Sequence, residues 1–218
     1  MSVTKQFAVL GMGRFGIGLA ETLTELGQNV LCIDIDENLV QAYSHCFDHI
    51  AAADTTDEES LKALGINNFD VTVVAVGNLQ NSLLTTLALK ELGIKKIIAK
   101  ALNLKHGKML EKIGADKVVY PERNTGQRLA HNLASSNILD FIELSPDFGI
   151  IELNLPQKLL GKMLKESKIR EDFNLNIVAL KNKDEITIPA PPDHVFMEGD
   201  ILIAVGRNKD IKRWEDAN

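Results

Sequence analysis

The sequence lacks the features of a membrane-spanning or secreted chain. Its longest apolar runs, such as residues 71–76, are far shorter than the roughly 20 residues that a membrane helix requires. Residues 1–6 do not combine a charged region with a following apolar stretch, so no secretory signal is visible. We therefore expect a cytoplasmic protein.

Cysteines and clustered basic residues are also scarce. The two cysteines, Cys32 and Cys46, lie in a strand-like and a helical pattern, and indicate neither a disulfide scaffold nor a CxxC zinc site. His45 and His49 have a spacing that zinc sites use, but no third ligand accompanies them. The formal net charge is −6 and no dense Lys/Arg cluster occurs, which argues against a nucleic-acid partner.

A regular alternation of two patterns fills the first 120 residues. Short continuous apolar runs are typical of parallel strands that are buried on both faces. Repeated strand–helix–strand units imply right-handed crossovers and a doubly wound, parallel sheet of the α/β class. The predicted strands are 7–10, 30–33, 49–53, 71–76, 97–101 and 118–120, and the predicted helices are 15–26, 37–46, 57–64, 80–92 and 105–113.

The pattern changes after Pro121. One more helix is predicted at 124–136, followed by strands at 141–144, 150–153, 177–180, 185–188 and 201–205 and by a helical turn at 209–215. We predict a first domain over 1–136, which includes the crossover helix, and a small α+β second domain over 137–218. A domain of that size is expected to bury part of its core against a partner surface.

The segment Gly11-Met12-Gly13-Arg14-Phe15-Gly16 follows the first predicted strand and opens a helix, which is the context that gives GxGxxG its meaning. Gly11 permits the tight turn, Gly13 lets a pyrophosphate approach, and Gly16 lets the helix pack on the sheet. Asp34, at the end of the second strand, can accept hydrogen bonds from ribose hydroxyls and disfavours a 2′-phosphate. These residues predict a Rossmann-type site for an adenine nucleotide other than NADPH.

Arg14 is unusual inside a glycine loop. A guanidinium there can reach a terminal phosphate. The alternative is a solvated Arg on the first helical turn, although the helix dipole disfavours a cation without a nearby anion.

Three further charged residues have two interpretations each. Asp54 either lines the nucleotide crevice or caps a helix over 55–64. Lys100 faces either the crevice or solvent, and Glu122 either binds a divalent cation or is an acid in the first turn of the next helix. The full predicted nucleotide-binding set is Gly11, Met12, Gly13, Arg14, Phe15, Gly16, Asp34, Ile35, Asp54, Thr55, Gly77, Asn78, Lys100 and Glu122.

Several segments, in order along the whole chain, carry a family resemblance. They are residues 6–16, Leu84-Thr85-Thr86, Lys90-Glu91-Leu92-Gly93, Lys112-Ile113-Gly114-Ala115-Asp116, Tyr120-Pro121-Glu122-Arg123, Asn176-Ile177-Val178-Ala179, Pro189-Ala190-Pro191 and Gly199-Asp200-Ile201-Leu202. In these segments the sequence resembles the cytosolic RCK (KTN) gating subunits of Ktr/Trk-type potassium transporters.

The resemblance implies an RCK_N domain that binds ATP, ADP or NAD(H), joined to an RCK_C (TrkA_C) domain, in a protein that is not an enzyme. It implies homodimers that form an octameric ring at the inner face of the membrane, on a separate potassium-translocating subunit. Gly11, Gly13, Asp34 and Asp54 would hold the nucleotide. Arg14 would sense the γ-phosphate across the dimer interface, and Glu122 would contribute to a Mg²⁺ or Ca²⁺ site between subunits.

In several relatives the second domain binds cyclic di-AMP, and the matching residues are Leu164, Arg170, Asn176, Ile177 and Pro192. Two departures from the family pattern occur. The loop at 77–82 is one residue shorter than usual, and Lys165 stands where relatives often carry an apolar residue.

Two other functions remain open on the residues. An NAD-dependent oxidoreductase would explain the glycine motif, but it leaves Arg14 unexplained and lacks an evident catalytic acid or substrate domain. A nucleotide-sensing dimer without a membrane partner is the second alternative.

Overall fold

The computed structural model describes residues 4–134, 138–183 and 185–217. The chain divides into two compact units, Met1–Arg123 and Asn124–Asn218.

The first unit contains a six-stranded parallel sheet flanked by helices, as the sequence predicts. Its strand order is β3-β2-β1-β4-β5-β6. The elements are β1 (Gln6–Leu10), α1 (Arg14–Glu25), β2 (Asn29–Asp34), α2 (Glu37–Tyr43), β3 (His49–Ala52), α3 (Glu58–Ala63), β4 (Val71–Val74), α4 (Leu79–Glu91), β5 (Ile97–Lys100), α5 (Leu104–Ile113) and β6 (Lys117–Val119).

Both faces of the central strands of this sheet are buried. Alternate residues of a strand point to opposite faces, so Leu10 of β1 packs in one cluster with Leu89 and Leu110 of α4 and α5. Its neighbour Val9 packs in another cluster, with Ala20 of α1. Burial on both faces explains why the strands are continuous apolar runs. Since the strand order reverses between β1 and β4, a crevice opens at the carboxyl ends of these strands.

Helix α6 (Pro121–Ala134) begins three residues earlier than the predicted 124–136, and residues 135–136 lie outside the described ones. Pro121 fits the first helical position. A backbone N–H at this position would have no acceptor within the helix, so the absence of one in proline costs no hydrogen bond. The division between the units falls inside this helix. Because a connecting helix continues from one unit into the next, this division does not test the predicted limits 1–136 and 137–218, which stay a prediction.

The second unit contains a five-stranded antiparallel sheet of order β10-β9-β11-β8-β7. All five predicted strands are present, and its core includes Leu153, Phe196, Leu202 and Trp214. The short helix α7 has no counterpart in the prediction. The elements are β7 (Ile138–Ser145), β8 (Phe148–Asn154), α7 (Ile169–Phe173), β9 (Asn176–Asn182), β10 (Glu185–Thr187), β11 (Asp200–Arg207) and α8 (Asn208–Ala217).

Within the described ranges, no helix has both the length and the apolar character that crossing a membrane requires.

Candidate functional site

The turn between β1 and α1 has a geometry that its first and last glycines make possible. Gly11 has a φ of +100° and donates its N–H to the carbonyl of Ile33 at 2.8 Å. A Cβ at Gly11 would lie 2.8 Å from the nitrogen of Val76, and a Cβ at Gly16 would lie 1.9 Å from the carbonyl oxygen of Gly11. Side chains at both positions are therefore excluded by the close approach of the turn, α1 and the sheet.

The first turn of α1 presents unused backbone donors. Gly13 is the N-cap residue, and its carbonyl accepts the first intrahelical bond, from Ile17 at 2.9 Å. The N–H groups of Arg14, Phe15 and Gly16 precede that bond and have no intrahelical acceptor. A Cβ at Gly13 would meet no atom within 4 Å, so the space beside these donors is open. Free amides and the positive end of the helix dipole together make an anion-binding arrangement.

Asp34 ties the end of β2 to this turn. Its Oδ2 accepts a hydrogen bond from the backbone N–H of Met12 at 2.5 Å, and its Oδ1 accepts one from Asp36 at 3.0 Å. A carboxylate has about four lone-pair positions, so capacity remains for sugar hydroxyls. The next residue, Ile35, is 65% exposed and offers apolar surface beside this carboxylate.

Asp54 is not the cap of the following helix, so that alternative is wrong. The cap is Asp57, whose carboxylate accepts from the N–H of Ser60 at 3.0 Å, and α3 begins at Glu58. Asp54 instead accepts from the N–H and the hydroxyl of Thr56, at 2.8 and 2.7 Å. Its exposed carboxylate lies at the carboxyl end of β3, on the same edge of the sheet as Asp34.

The residues after β4 begin helix α4. Asn78 is the N-cap of α4, and its side-chain oxygen accepts from the N–H of Asn81 at 3.0 Å. Gly77 is exposed, and a Cβ there would meet no atom within 4 Å. The side-chain oxygen of Asn78 thus has a structural role, while the backbone at Gly77 lies open at the crevice.

Lys100 is buried and ion-paired, so the alternative in which it faces solvent is wrong. Its Nζ lies 3.0 Å from Oε1 of Glu122, and 5.9 Å from the centre of the Phe15 ring. The backbone N–H of Glu122 itself, and then the Lys100 ammonium, hold the pKa of the Glu122 carboxyl below its ordinary value, and the charge of Arg14 acts in the same direction. Arg14, Phe15, Lys100 and Glu122 thus form one group beside the glycine turn, in which Glu122 is also an acid in the first turn of α6.

No metal centre is formed by the described residues of a single chain. They contain no group of three or more His, Cys, Asp or Glu side chains that could hold an ion, at His45 and His49 or elsewhere. Glu122 provides one carboxylate, which already accepts from Lys100. A cation there requires ligands from outside one chain.

The residues that the family resemblance assigns to a second ligand, cyclic di-AMP, lie in the second unit, and backbone hydrogen bonds join some of them to the loop at 192–194. Leu164 begins a 3₁₀ turn and donates its N–H to the carbonyl of His194 at 3.0 Å, and Lys165 donates to the carbonyl of Pro192 at 2.9 Å. Lys165 also pairs with Asp193 at 2.6 Å. Of the remaining matched residues, Arg170 lies in α7, and Asn176 and Ile177 begin β9.

Helix α6 and strand β7 line an open groove with a volume of about 530 Å³ in the second unit. Strand β7 is an edge strand, and large apolar side chains on both elements are exposed. These are Leu129, Leu133, Leu139, Ile142 and Leu144, which are 41–77% exposed.

Sequence reasoning did not assign a role to Thr85, whose hydroxyl lies 2.8 Å from that of Thr55. The signal was present in the predicted helix 80–92, because positions that should face the core carry hydroxyl residues. Ser82, Thr85 and Thr86 are all fully buried.

Fold and site define a class of protein: a Rossmann-type unit with an anion-binding glycine turn, followed by a small antiparallel α+β unit. Residues 7–121 match the TrkA-N domain and residues 150–217 match the TrkA-C domain. The chain belongs to the family of TrkA-type RCK proteins.

Two relatives from Bacillus subtilis cover nearly the whole chain. The Ktr system potassium uptake protein C is 45% identical over 212 residues, which are 97% of this chain and 96% of that protein. The Ktr system potassium uptake protein A is 42% identical over 213 residues, again 97% of this chain and 96% of the relative.

Solved structures of GsuK share the fold. The GsuK RCK domain superimposes with a TM-score of 0.55 at 26% identity, over 97% of this chain and 46% of that one. The GsuK channel bound to NAD gives the same score and identity, with 38% of its length covered. GsuK bound to ADP matches 59% of this chain and 33% of its own, at 27% identity and a TM-score of 0.51. The chain therefore spans less than half the length of these GsuK chains.

Proposed function

We propose that this protein is a nucleotide-sensing regulatory subunit of a potassium uptake transporter, in which a bound ATP, ADP or NAD(H) controls a separate membrane pore. The observation that carries the proposal is the open first turn of α1, with free N–H groups at Arg14, Phe15 and Gly16, next to the carboxylate of Asp34. Phosphates fit the first feature and ribose hydroxyls fit the second.

The same crevice accommodates the rest of an adenine nucleotide. We place the adenosine between Ile35 and Asp54. Ile35 follows β2, the neighbour of β1, Asp54 follows β3, the neighbour of β2, and both residues are exposed. GsuK structures have been solved with NAD and with ADP, and both ligands contain the phosphates and the adenosine that this crevice is proposed to bind.

Arg14 gives the site a means to distinguish ATP from ADP. It is exposed on the first helical turn, where a terminal phosphate would provide an anion in addition to the Glu122 carboxylate. A ligand shifts a two-state assembly only by its difference in affinity for the two states. If Arg14 meets the γ-phosphate in one state alone, each site contributes about 1–3 kcal/mol of coupling, and the sites of a ring act together.

The proposed assembly is a homodimer that builds an octameric ring on an integral membrane potassium-translocating subunit. The exposed apolar side chains of α6 and β7 support a second copy as partner, because a patch of this kind is rarely left open to water. The membrane partner is inferred from the named potassium uptake systems of the Bacillus relatives. The role is regulatory and not enzymatic, and it places the protein at the inner face of the membrane.

Two further ligands belong to the proposal. Glu122, with oxygens of the nucleotide and a second chain, would hold Mg²⁺ or Ca²⁺, which prefer oxygen ligands. Cyclic di-AMP would bind the second unit at Leu164, Arg170, Asn176, Ile177 and Pro192. The Lys165–Asp193 pair beside Pro192 offers a cation to its phosphates in place of the apolar contact of relatives.

The test begins with protein freed of co-purified nucleotide. Calorimetric titration with ATP, ADP and NADH should give saturable binding, and addition of ATP to the protein reconstituted with a Ktr-type membrane subunit in vesicles should change potassium flux. Absence of heat with all three nucleotides would overturn the proposal. Binding without any effect on flux, or failure to associate with a membrane subunit, would favour the free-standing sensor, and steady NADH oxidation with a small carbonyl compound would favour the oxidoreductase.

A further inference from the structure

A buried pair of threonine hydroxyls connects two elements below the crevice. Thr55 lies between β3 and α3, directly after Asp54, and Thr85 lies in the middle of α4. Their Oγ1 atoms are 2.8 Å apart, and the two residues are 7% and 0% exposed. The pair is therefore a hydrogen bond between two elements inside the core.

The elements that this bond joins are far apart in the sheet. β3 is separated from β4 by β2 and β1, and α4 follows β4. The bond therefore runs from the segment after β3 to the helix after β4, across the two strands that end in Asp34 and the glycine turn. It fixes the two sides of the crevice relative to each other.

Packing alone does not require hydroxyls here. Valine has nearly the shape of threonine, and a buried hydroxyl is unfavourable unless it finds a partner. The hydroxyls add a directional contact between the two elements, because a hydrogen bond fixes both a distance and an angle. Thr86, the next residue along α4, is a contrast: it is equally buried, but its hydroxyl donates to the carbonyl of Ser82 in its own helix at 2.8 Å and holds no second element.

Two hydrogen bonds link the first and last residues of the segment 54–56 that follows β3. Asp54 accepts both the N–H and the hydroxyl of Thr56, so Asp54, Thr55 and Thr56 are held in one local turn. A displacement of Thr55 would carry the Asp54 carboxylate with it. The position of Asp54 at the crevice thus depends on the bond to Thr85.

We propose that Thr55 and Thr85 are positioning residues of the nucleotide site, and that their hydrogen bond holds Asp54 where it meets the adenosine. This inference rests on the proposed nucleotide-binding function. The pair acts through Asp54 and does not touch the phosphates, so it affects every adenine nucleotide alike.

The experiment uses full-length, nucleotide-free protein and the variants Thr55→Val, Thr85→Val, the double variant, Thr85→Ser and the control Thr86→Val. Dissociation constants for ADP and ATP are measured by calorimetry, and thermal midpoints are measured without nucleotide. Thr55→Val and Thr85→Val should each weaken both nucleotides about 5- to 10-fold, the range expected for one lost hydrogen bond. The double variant should bind no more weakly than either single variant, and Thr85→Ser should bind nearly as the wild type.

Thr86→Val distinguishes a positioning role of Thr85 in nucleotide binding from a purely structural role. It should lower the thermal midpoint as Thr85→Val does, yet keep wild-type affinity. Equal weakening by Thr86→Val, or wild-type affinity in Thr85→Val and the double variant, would overturn the positioning role while leaving the proposed function intact. A wild-type protein that binds no nucleotide would overturn the proposed function itself.

Discussion

The backbone N–H of Met12 donates to Oδ2 of Asp34 at 2.5 Å, so a hydrogen bond connects the glycine turn to the end of β2. A carboxylate held in this way is preorganised: its orientation need not be fixed when the ligand binds. The site therefore depends on Asp34 in two ways, through the turn that it anchors and through the hydroxyls that it is proposed to accept.

Asp34→Ala is expected to weaken ATP, ADP and NADH by similar factors, because all three share the adenosine ribose. Loss of hydrogen bonds to a charged acceptor corresponds to about 10- to 100-fold in affinity. Calorimetry with the three ligands measures this. Asp36→Ala is the matched control, since Asp36 caps α2 and should change stability more than binding. Unchanged affinity in Asp34→Ala would remove the ribose assignment.

Arg14→Ala is expected to weaken ATP more than ADP, because ADP lacks the γ-phosphate that the guanidinium is proposed to meet. The difference should be about 5- to 150-fold, the range of typical coupling energies. Arg14→Lys keeps the charge without the planar donor set and should lie between the two. Equal losses for ATP and ADP would show that Arg14 does not read the third phosphate.

Gly13→Ala and Gly16→Ala should separate binding from folding. A methyl at Gly13 meets no protein atom within 4 Å, so this variant should keep its thermal midpoint but lose nucleotide binding, since the methyl enters the space proposed for the pyrophosphate. A methyl at Gly16 would lie 1.9 Å from the carbonyl of Gly11, so Gly16→Ala should unfold at a clearly lower temperature. Differential scanning fluorimetry with calorimetry measures both properties. Wild-type nucleotide affinity in Gly13→Ala would contradict the assigned position of the phosphates.

Asp200 should make the second unit sensitive to acid. Burial would raise the pKa of its carboxyl, but hydrogen bonds from His194, from the N–H of Met197 and from Asn182 outweigh burial, and the pKa lies below its ordinary value. A carboxyl with a lowered pKa stabilises the folded state above its unfolded pKa of about 3.9, and this contribution is lost as the pH falls through the folded value.

Asp200→Asn should therefore lower the free energy of unfolding by about 2 kcal/mol at pH 7 and should flatten its decline below pH 4. Denaturant titration between pH 3 and pH 7 measures both effects. The exposed Asp193, changed to Asn, should leave the curve nearly unchanged, because surface ion pairs contribute little. If the free energy of unfolding of Asp200→Asn falls below pH 4 as steeply as that of the wild type, the acid sensitivity belongs to other groups.

The sequence by itself determined the layout of the first unit. Short, largely apolar runs such as 7–10 and 71–76 are typical of strands that are buried on both faces, and a glycine motif directly after the first strand has an established place in that layout. The resemblance in ordered segments along the whole chain then indicated the family, which the comparisons confirmed. Local pattern suffices for these features because they follow from the periods of strand and helix and from the steric freedom of glycine.

Side-chain partners were decided by the tertiary structure. Asp54 and Asp57 are equally suitable helix caps by residue type, but α3 begins at Glu58, so Asp57 is the cap. Lys100 was equally compatible with solvent or crevice until α6 brought Glu122 within 3.0 Å of it. The hydrogen bonds from Met12 to Asp34 and between Thr55 and Thr85 join residues 22 and 30 positions apart. Such contacts depend on the exact positions of strands and helices in space, and the periodicity of neighbouring residues does not show which distant side chains meet.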